Sequence, residues 1–255
     1  MDIVETSPLG ETSPLGEASL LAAFAEAMPI AARRASLTGG TGLVIVDEVN
    51  GFATVGAGPL APARENASVA RMITETDRLA HDFAARDWPI LAFLDSHQPG
   101  KAEPPYPPHC EIGTGQENLV PGLAWLENCP QAQLMRKDCI NGYIGAERPD
   151  GSNVVRDWIA RYQLQSVVVV GICTDICVMD FVLTLLSARN HGLVAPLRDI
   201  VVYGPGCSTY NLPRDQALAI GLPATAGHPQ ELAHHLGLYV MAARGAVLAD
   251  EIVFA

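Results

Sequence analysis

From Gly42 onward the chain alternates short, uninterrupted apolar runs with longer stretches of helical periodicity. The apolar runs predict strands at 43–47, 90–94, 132–137, 166–171, 200–204 and 247–253. Strands that are apolar throughout, rather than at every second position, suit a parallel sheet covered on both faces. Helical spacing fits 65–86, 153–163, 176–190 and 229–243, with a further turn near 213–220. The sequence Asn190–His191–Gly192 has the composition of a helix C-terminus, where glycine accepts a left-handed conformation. Read in order, these elements predict an α/β fold: a single doubly wound, three-layer α/β/α domain with a mostly parallel six-stranded sheet.

Two segments break the alternation. The unit ETSPLG occurs twice in tandem at 5–10 and 11–16, and its Pro, Gly and Ser content predicts a flexible tail over residues 1–16. The domain then covers 17–255, opening with a helix in ASLLAAFAEAMPIAARRAS that TGGTG ends. The stretch from Asp95 to Ala132 shows little periodicity and carries five prolines between Pro99 and Pro108. A loop that long inside a compact domain is usually functional.

Composition narrows the partners. Apolar residues make up 49% and charged residues 17%, enough for a sizeable core. A net charge of -12 argues against nucleic acid or an anionic membrane surface as a partner. No apolar run approaches the ~20 residues of a membrane span, and the acidic N-terminus does not read as a signal peptide. The six cysteines (Cys110, Cys129, Cys139, Cys173, Cys177 and Cys207) are scattered rather than arranged as a disulfide framework. A soluble, cytoplasmic protein is expected, and assembly into a homo-oligomer stays open.

Open α/β sheets bind ligands at the carboxyl ends of their strands. Here those ends read Asp47, Asp95, Lys137 and the turn from Gly171 to Cys177. Each alone has a bland explanation: a capping aspartate, a solvated lysine, a buried cysteine. Three charges and a thiol at four strand ends are hard to explain as packing. Cys177 falls at or near a helix N-terminus, where backbone N–H groups favour a thiolate. Asp47 and Lys137 are the available base and orienting cation, so the set follows the logic of an activated nucleophile. Cys173 could instead pair with Cys177, although the spacing is CxxxC rather than the redox-typical CxxC. In DSHQPGKAEPPYPPHC, Asp95 and His97 leave one strand and His109 follows twelve residues later. One carboxylate and two imidazoles suit Zn²⁺, Fe²⁺ or Mn²⁺ with positions left open. The remaining histidines (His81, His191, His228, His234 and His235) read as helix-surface or terminal residues.

Taken in order, these segments resemble the isochorismatase-like cysteine hydrolases and, among them, the plant-type nicotinamidases. The likeness runs from about Gly42 to the C-terminus and rests on GLVIVDEVNGF, LAFLDSHQP with YPPHCEIGT, RKDCINGY and VVVVGICTDICVMDF. It implies Asp47, Lys137 and Cys177 as catalytic residues and Asp95, His97 and His109 as metal ligands. Glu103 is the candidate fourth ligand, set against a solvent-facing role. Phe52, Tyr106 and Tyr143 are implied as substrate contacts, and the backbone N–H groups of Cys173 and Cys177 as an oxyanion hole. A non-proline cis peptide is implied at Ile172–Cys173. The implied cofactor is one divalent transition metal, zinc foremost with iron or manganese as alternatives. The implied reaction is hydrolysis of nicotinamide to nicotinate and ammonia through a cysteine thioester, a step of NAD salvage. Another small amide or ureide as substrate, and a non-catalytic binding domain, are the alternatives.

Overall fold

The computed structural model describes residues 17–101 and 103–255, so the tandem repeat at 1–16 lies outside the described residues. All six anticipated strands form: β2 (Thr41–Val46), β3 (Ile90–Asp95), β4 (Ala132–Lys137), β5 (Ser166–Ile172), β6 (Asp199–Ser208) and β7 (Val247–Phe254). A seventh, β1 (Arg33–Leu37), corrects the sequence reading. The expected 18–36 helix ends early, as α1 (Glu17–Ala27), and the chain beyond Pro29 pairs along β7 instead. β1 is polar and mostly exposed, so its own sequence carries no strand period, and its partner lies at the far end of the chain.

The sheet order is β1-β7-β6-β5-β2-β3-β4, and every pairing is parallel. The chain runs outward from β2 through β3 to β4, then returns to β5 on the other flank of β2. This makes the β2–β5 junction the topological switch point, where the loops diverge and leave a crevice.

Alternate residues of each strand feed two cores. On one face Val44, Val46, Phe93, Val169 and Val202 meet Trp158, Phe181 and Met241. Those three belong to α5 (Val154–Tyr162), α6 (Met179–Asn190) and α8 (Gln230–Ala243). On the other face Leu43, Ile45, Ala92, Leu94 and Val170 meet Met72, Leu79 and Phe83 of α3 (Ala67–Ala84). Leu123 and Leu126, from a 3-10 turn at Pro121–Asn128 inside the stretch expected to be loop, join that second core. Helices thus cover both faces, as the apolar strands require. Short helices α2 (Asn50–Ala53), α4 (Gly142–Gly145) and α7 (Arg214–Ala219) complete the connections. No helix among the described residues is long and apolar enough to cross a membrane.

At the switch point β5 passes so close to β2 that a Cβ on Gly171 would lie 2.1 Å from the Val46 carbonyl oxygen. Gly171 also has φ +131, so both space and backbone exclude other residues. Gly171→Ala should therefore destabilise by at least ~3 kcal/mol, or about 6–12 °C in Tm for a chain of this size. Gly151→Ala isolates the backbone effect, since Gly151 has φ +81 with open space around it, and should cost only about 1 kcal/mol. Thermal melts that rank the two variants the other way would refute this account of the junction.

Candidate active site

Register builds the site. Asp95 and Lys137 are direct neighbours across β3 and β4, and Val46, Phe93 and Gly171 are aligned across β2, β3 and β5. Asp47 therefore leaves β2 one step beyond that row. Its φ of 54 is in the left-handed region that non-glycine residues seldom adopt. The reversal is tightened by a bond from Val49 N–H to the Asp47 carbonyl, 2.7 Å. Neighbouring Glu48 takes the opposite face, where Thr76 donates to it at 2.6 Å.

Lys137 starts two strands from β2, about 10 Å at ordinary strand spacing, and its long stem crosses β3 to reach Asp47. Its Nζ lies 2.8 Å from Asp47 Oδ2 and 3.1 Å from Asp95 Oδ1. It also donates to the Cys139 carbonyl at 2.8 Å. Both Lys137 and Asp47 side chains are fully buried. Burial disfavours the Lys137 cation, but Asp47, Cys177 and Asp95 outweigh it and raise its pKa well above the usual lysine value. For Asp47, burial dominates: it raises the carboxyl to about 6 against the opposing charge of Lys137.

Cys177 lies beside this pair, near the helix N-terminus as expected. A π-helical turn, Thr174–Val178, precedes α6 and carries the thiol within it. Burial pushes the Cys177 thiol well up, and Lys137 only partly offsets that. That upward push opposes the thiolate-favouring effect expected of a helix terminus. The peptide bond Ile172–Cys173 is cis, as anticipated, and all six cysteines are free.

Asp95 serves a second cluster through its other oxygen. Its Oδ2 lies 3.0 Å from His97 Nε2 and 3.3 Å from His109 Nε2, and Glu103 Oε2 lies 3.6 Å from each of the two imidazoles. Bonds of ~2.1 Å to one divalent transition metal place neighbouring ligand atoms about 3.0–3.4 Å apart. The four groups fit such an ion. Their outer atoms are anchored as metal ligands' usually are. His109 donates from Nδ1 to the Pro107 carbonyl at 2.8 Å, leaving Nε2 for a metal. Glu103 Oε1 accepts from Ile140 N–H at 2.9 Å, leaving Oε2. Glu103 thus turns inward rather than to solvent. Burial would raise the Asp95 carboxyl, but His109, His97 and Lys137 outweigh it and hold it well below the usual carboxylate range.

Between the thiol and this cluster lies a cleft that is partly open to solvent. Phe52 and Tyr106 line it, both packed on the His109 ring, together with Asp95, Glu103, Cys173 and Cys177. Tyr143 does not: it is buried in the core beside Phe93, and Ile140 of the same loop takes the cleft position. Sequence reasoning missed Tyr210, Ile176 and Leu60 on the walls. For Tyr210 a signal existed, because it lies two residues beyond the end of β6, a fifth strand end at the same edge. Three histidines read as surface residues are not free either. His228 pairs with Asp175, His234 bonds Thr174, and His235 is buried against the Met28 carbonyl.

Residues 41–250 match the family described as the Isochorismatase domain. The chain is 54% identical over 213 residues to Nicotinamidase 1 of Arabidopsis thaliana, covering 84% of this chain and 86% of that protein. Among solved structures, a nicotinamidase from Bacillus subtilis superposes with a TM-score of 0.58 at 21% identity, over 83% of this chain and 99% of that one. An N-carbamoylsarcosine amidase from Thermoplasma acidophilum gives 0.58 at 19% identity, over 83% and 98%. The layered parallel sheet, the strand-end constellation and these likenesses agree, and the chain belongs to the isochorismatase domain family.

Proposed function

We propose that this protein is a nicotinamidase: it hydrolyses nicotinamide to nicotinate and ammonia and so returns the pyridine ring to NAD synthesis. The similarity to the Arabidopsis nicotinamidase supports the substrate. The observation that carries the reading is the buried Cys177–Asp47–Lys137 set opening onto the same cleft as the Asp95, His97, Glu103 and His109 cluster. The hydrolase unit is taken as residues 17–255, with α1 seated on α8 through Phe24 and His235.

In this reading Asp47, ionised at neutral pH, takes the Cys177 proton as Sγ attacks the amide carbon. A base with a pKa of about 6 is far better matched to that work than an ordinary aspartate. The carbonyl oxygen gains charge and accepts from the backbone N–H groups of Cys173 and Cys177. The tetrahedral centre then collapses, the carbon–nitrogen bond breaks, and Asp47 hands its proton to the departing ammonia. Water attacks the thioester with Asp47 again as base, releasing nicotinate and restoring the thiol. Phe52 and Tyr106 hold the ring at the cluster end. A divalent metal held there, zinc being the best match to two imidazoles and two carboxylates, would supply a Lewis acid to orient the pyridine nitrogen. Lys137 keeps Asp47 ionised and aimed.

The purified protein should release ammonia from nicotinamide. Cys177→Ala should abolish turnover while Cys173→Ala leaves measurable activity; the opposite pattern would move the nucleophile. Asp47→Asn should lower kcat by at least ~10²-fold, the scale of a lost general base. Lys137→Ala should do comparable harm, and the double variant should be little worse than either, as for members of one catalytic unit. The wild-type pH profile of kcat/KM should fall on the acid side through about pH 6 as Asp47 is protonated. Since Lys137 lowers that pKa, the residual activity of Lys137→Ala should fall at higher pH; an unmoved limb would separate the two residues. Elemental analysis should find about one divalent transition metal per chain, with much less in His97→Ala and Glu103→Gln. Equal content in all three would remove those side chains from the ligand set.

A further inference from the structure

Tyr210 lines the cleft beside Cys173 yet has no part in the chemistry above. What fixes its ring is a second, separate assembly. His228 lies flat against it, with centroids 3.8 Å apart and planes inclined by 14°. The His228 Nδ1 faces the Tyr210 carbonyl at 2.9 Å, and Nε2 faces Asp175 Oδ2 at 2.8 Å. The imidazole is thus held at both ends, with one ring nitrogen on a backbone carbonyl and the other on a carboxylate. The same ring stacks on the tyrosine face, so one side chain couples Tyr210 to Asp175. The loop joining the two residues is pinned at its base, where Leu212 and His228 exchange backbone bonds of 2.9 and 2.6 Å.

The far end of the assembly is the nucleophile turn itself. Asp175 is two residues from Cys177 and belongs to the same π-helical turn. Thr174 is held in parallel by His234, 2.8 Å away. The α8 backbone lies directly against this turn, since a Cβ on Gly237 would fall 2.8 Å from Asp175 Cα. Tyr210 is therefore linked through His228 and Asp175 to the turn that carries the thiol. An occupant anchored at the metal cluster and at Cys177 has Phe52 and Tyr106 on its flanks, and Tyr210 closes the wall beside Cys173.

We propose that Tyr210 is a specificity-determining residue, with His228 positioning it, and that this wall restricts the enzyme to amides carried on a single six-membered aromatic ring. The inference deepens the amide-hydrolase reading and rests on it. Nicotinamide and the fused-ring analogue quinoline-3-carboxamide provide the comparison. Tyr210→Ala should raise KM for nicotinamide at least ~10-fold with kcat within about 3-fold, because it removes binding common to ground and transition states. The ratio of kcat/KM for the fused ring over nicotinamide should rise at least ~10-fold, while Tyr210→Phe should leave that ratio within about 2-fold. His228→Ala should move KM and the ratio in the same direction by a smaller amount, whereas a loss of fold alone would lower kcat on both amides equally. Tyr210→Leu serves should the alanine variant not fold. An unchanged ratio in the truncated variants would overturn the proposal. A wild-type protein inert on nicotinamide would instead overturn the amidase reading. Calorimetric binding of both amides to Cys177→Ala, with and without Tyr210→Ala, would then decide the wall: the double variant should gain relative affinity for the fused ring, and no gain refutes it.

Discussion

One ammonium buried between two carboxylates governs this structure. Lys137 and Asp47 have no solvent contact through their side chains, and Asp95 has almost none. Desolvating such a group is costly, and the attraction to its partners only repays that in good geometry. The geometry comes from the sheet: direct register between Asp95 and Lys137, a left-handed reversal at Asp47, and a stem long enough to cross one strand. The packing of both helical layers keeps these strands dry and in register. Removing one member would leave a buried charge uncompensated, a larger disturbance than the loss of one contact.

Asp95 links two chemistries by dividing its oxygens. Oδ1 belongs to Lys137 and Oδ2 to the imidazoles. Its negative charge is one of the influences that raise Asp47, after burial itself. A cation in the cluster would cancel part of that influence, so Asp47 and the cluster are electrostatically coupled. The strength of Asp47 as a base is a difference between large opposing effects, and modest changes at the cluster reach it.

Much of this was legible in the sequence for a simple reason. A parallel strand buried on both faces is apolar to its last residue, so a charge or thiol at its end stands out: Asp47, Asp95 and Lys137 were visible as interruptions. The 54% identical relative confirms the family that those interruptions suggested. What escaped was non-local or environmental. The strand Arg33–Leu37 is polar and depends on a partner more than two hundred residues away. Tyr143 shares a motif with Lys137 but faces the core, a choice of side that motif spacing does not encode. The upward push on the Cys177 thiol comes first from burial, and burial depends on the whole fold. His228, His234 and Tyr210 carry no periodic signal, because each acts through a partner distant in sequence.

The clamp around the nucleophile turn also bears on how the protein matures. Thr174 and Asp175 are held by residues 60 and 53 positions downstream, and α8 supplies the backbone against which the turn packs. A chain leaving the ribosome therefore displays Asp47, Asp95, Lys137 and Cys177 well before it possesses the element that seats the thiol. Until α8 docks, the turn that carries Cys177 lacks the partners His228 and His234 and the backbone of Gly237. Folding of the last quarter of the chain does more than add stability. It is the step that brings α8 against the turn and so seats Cys177 beside Asp47 and Lys137.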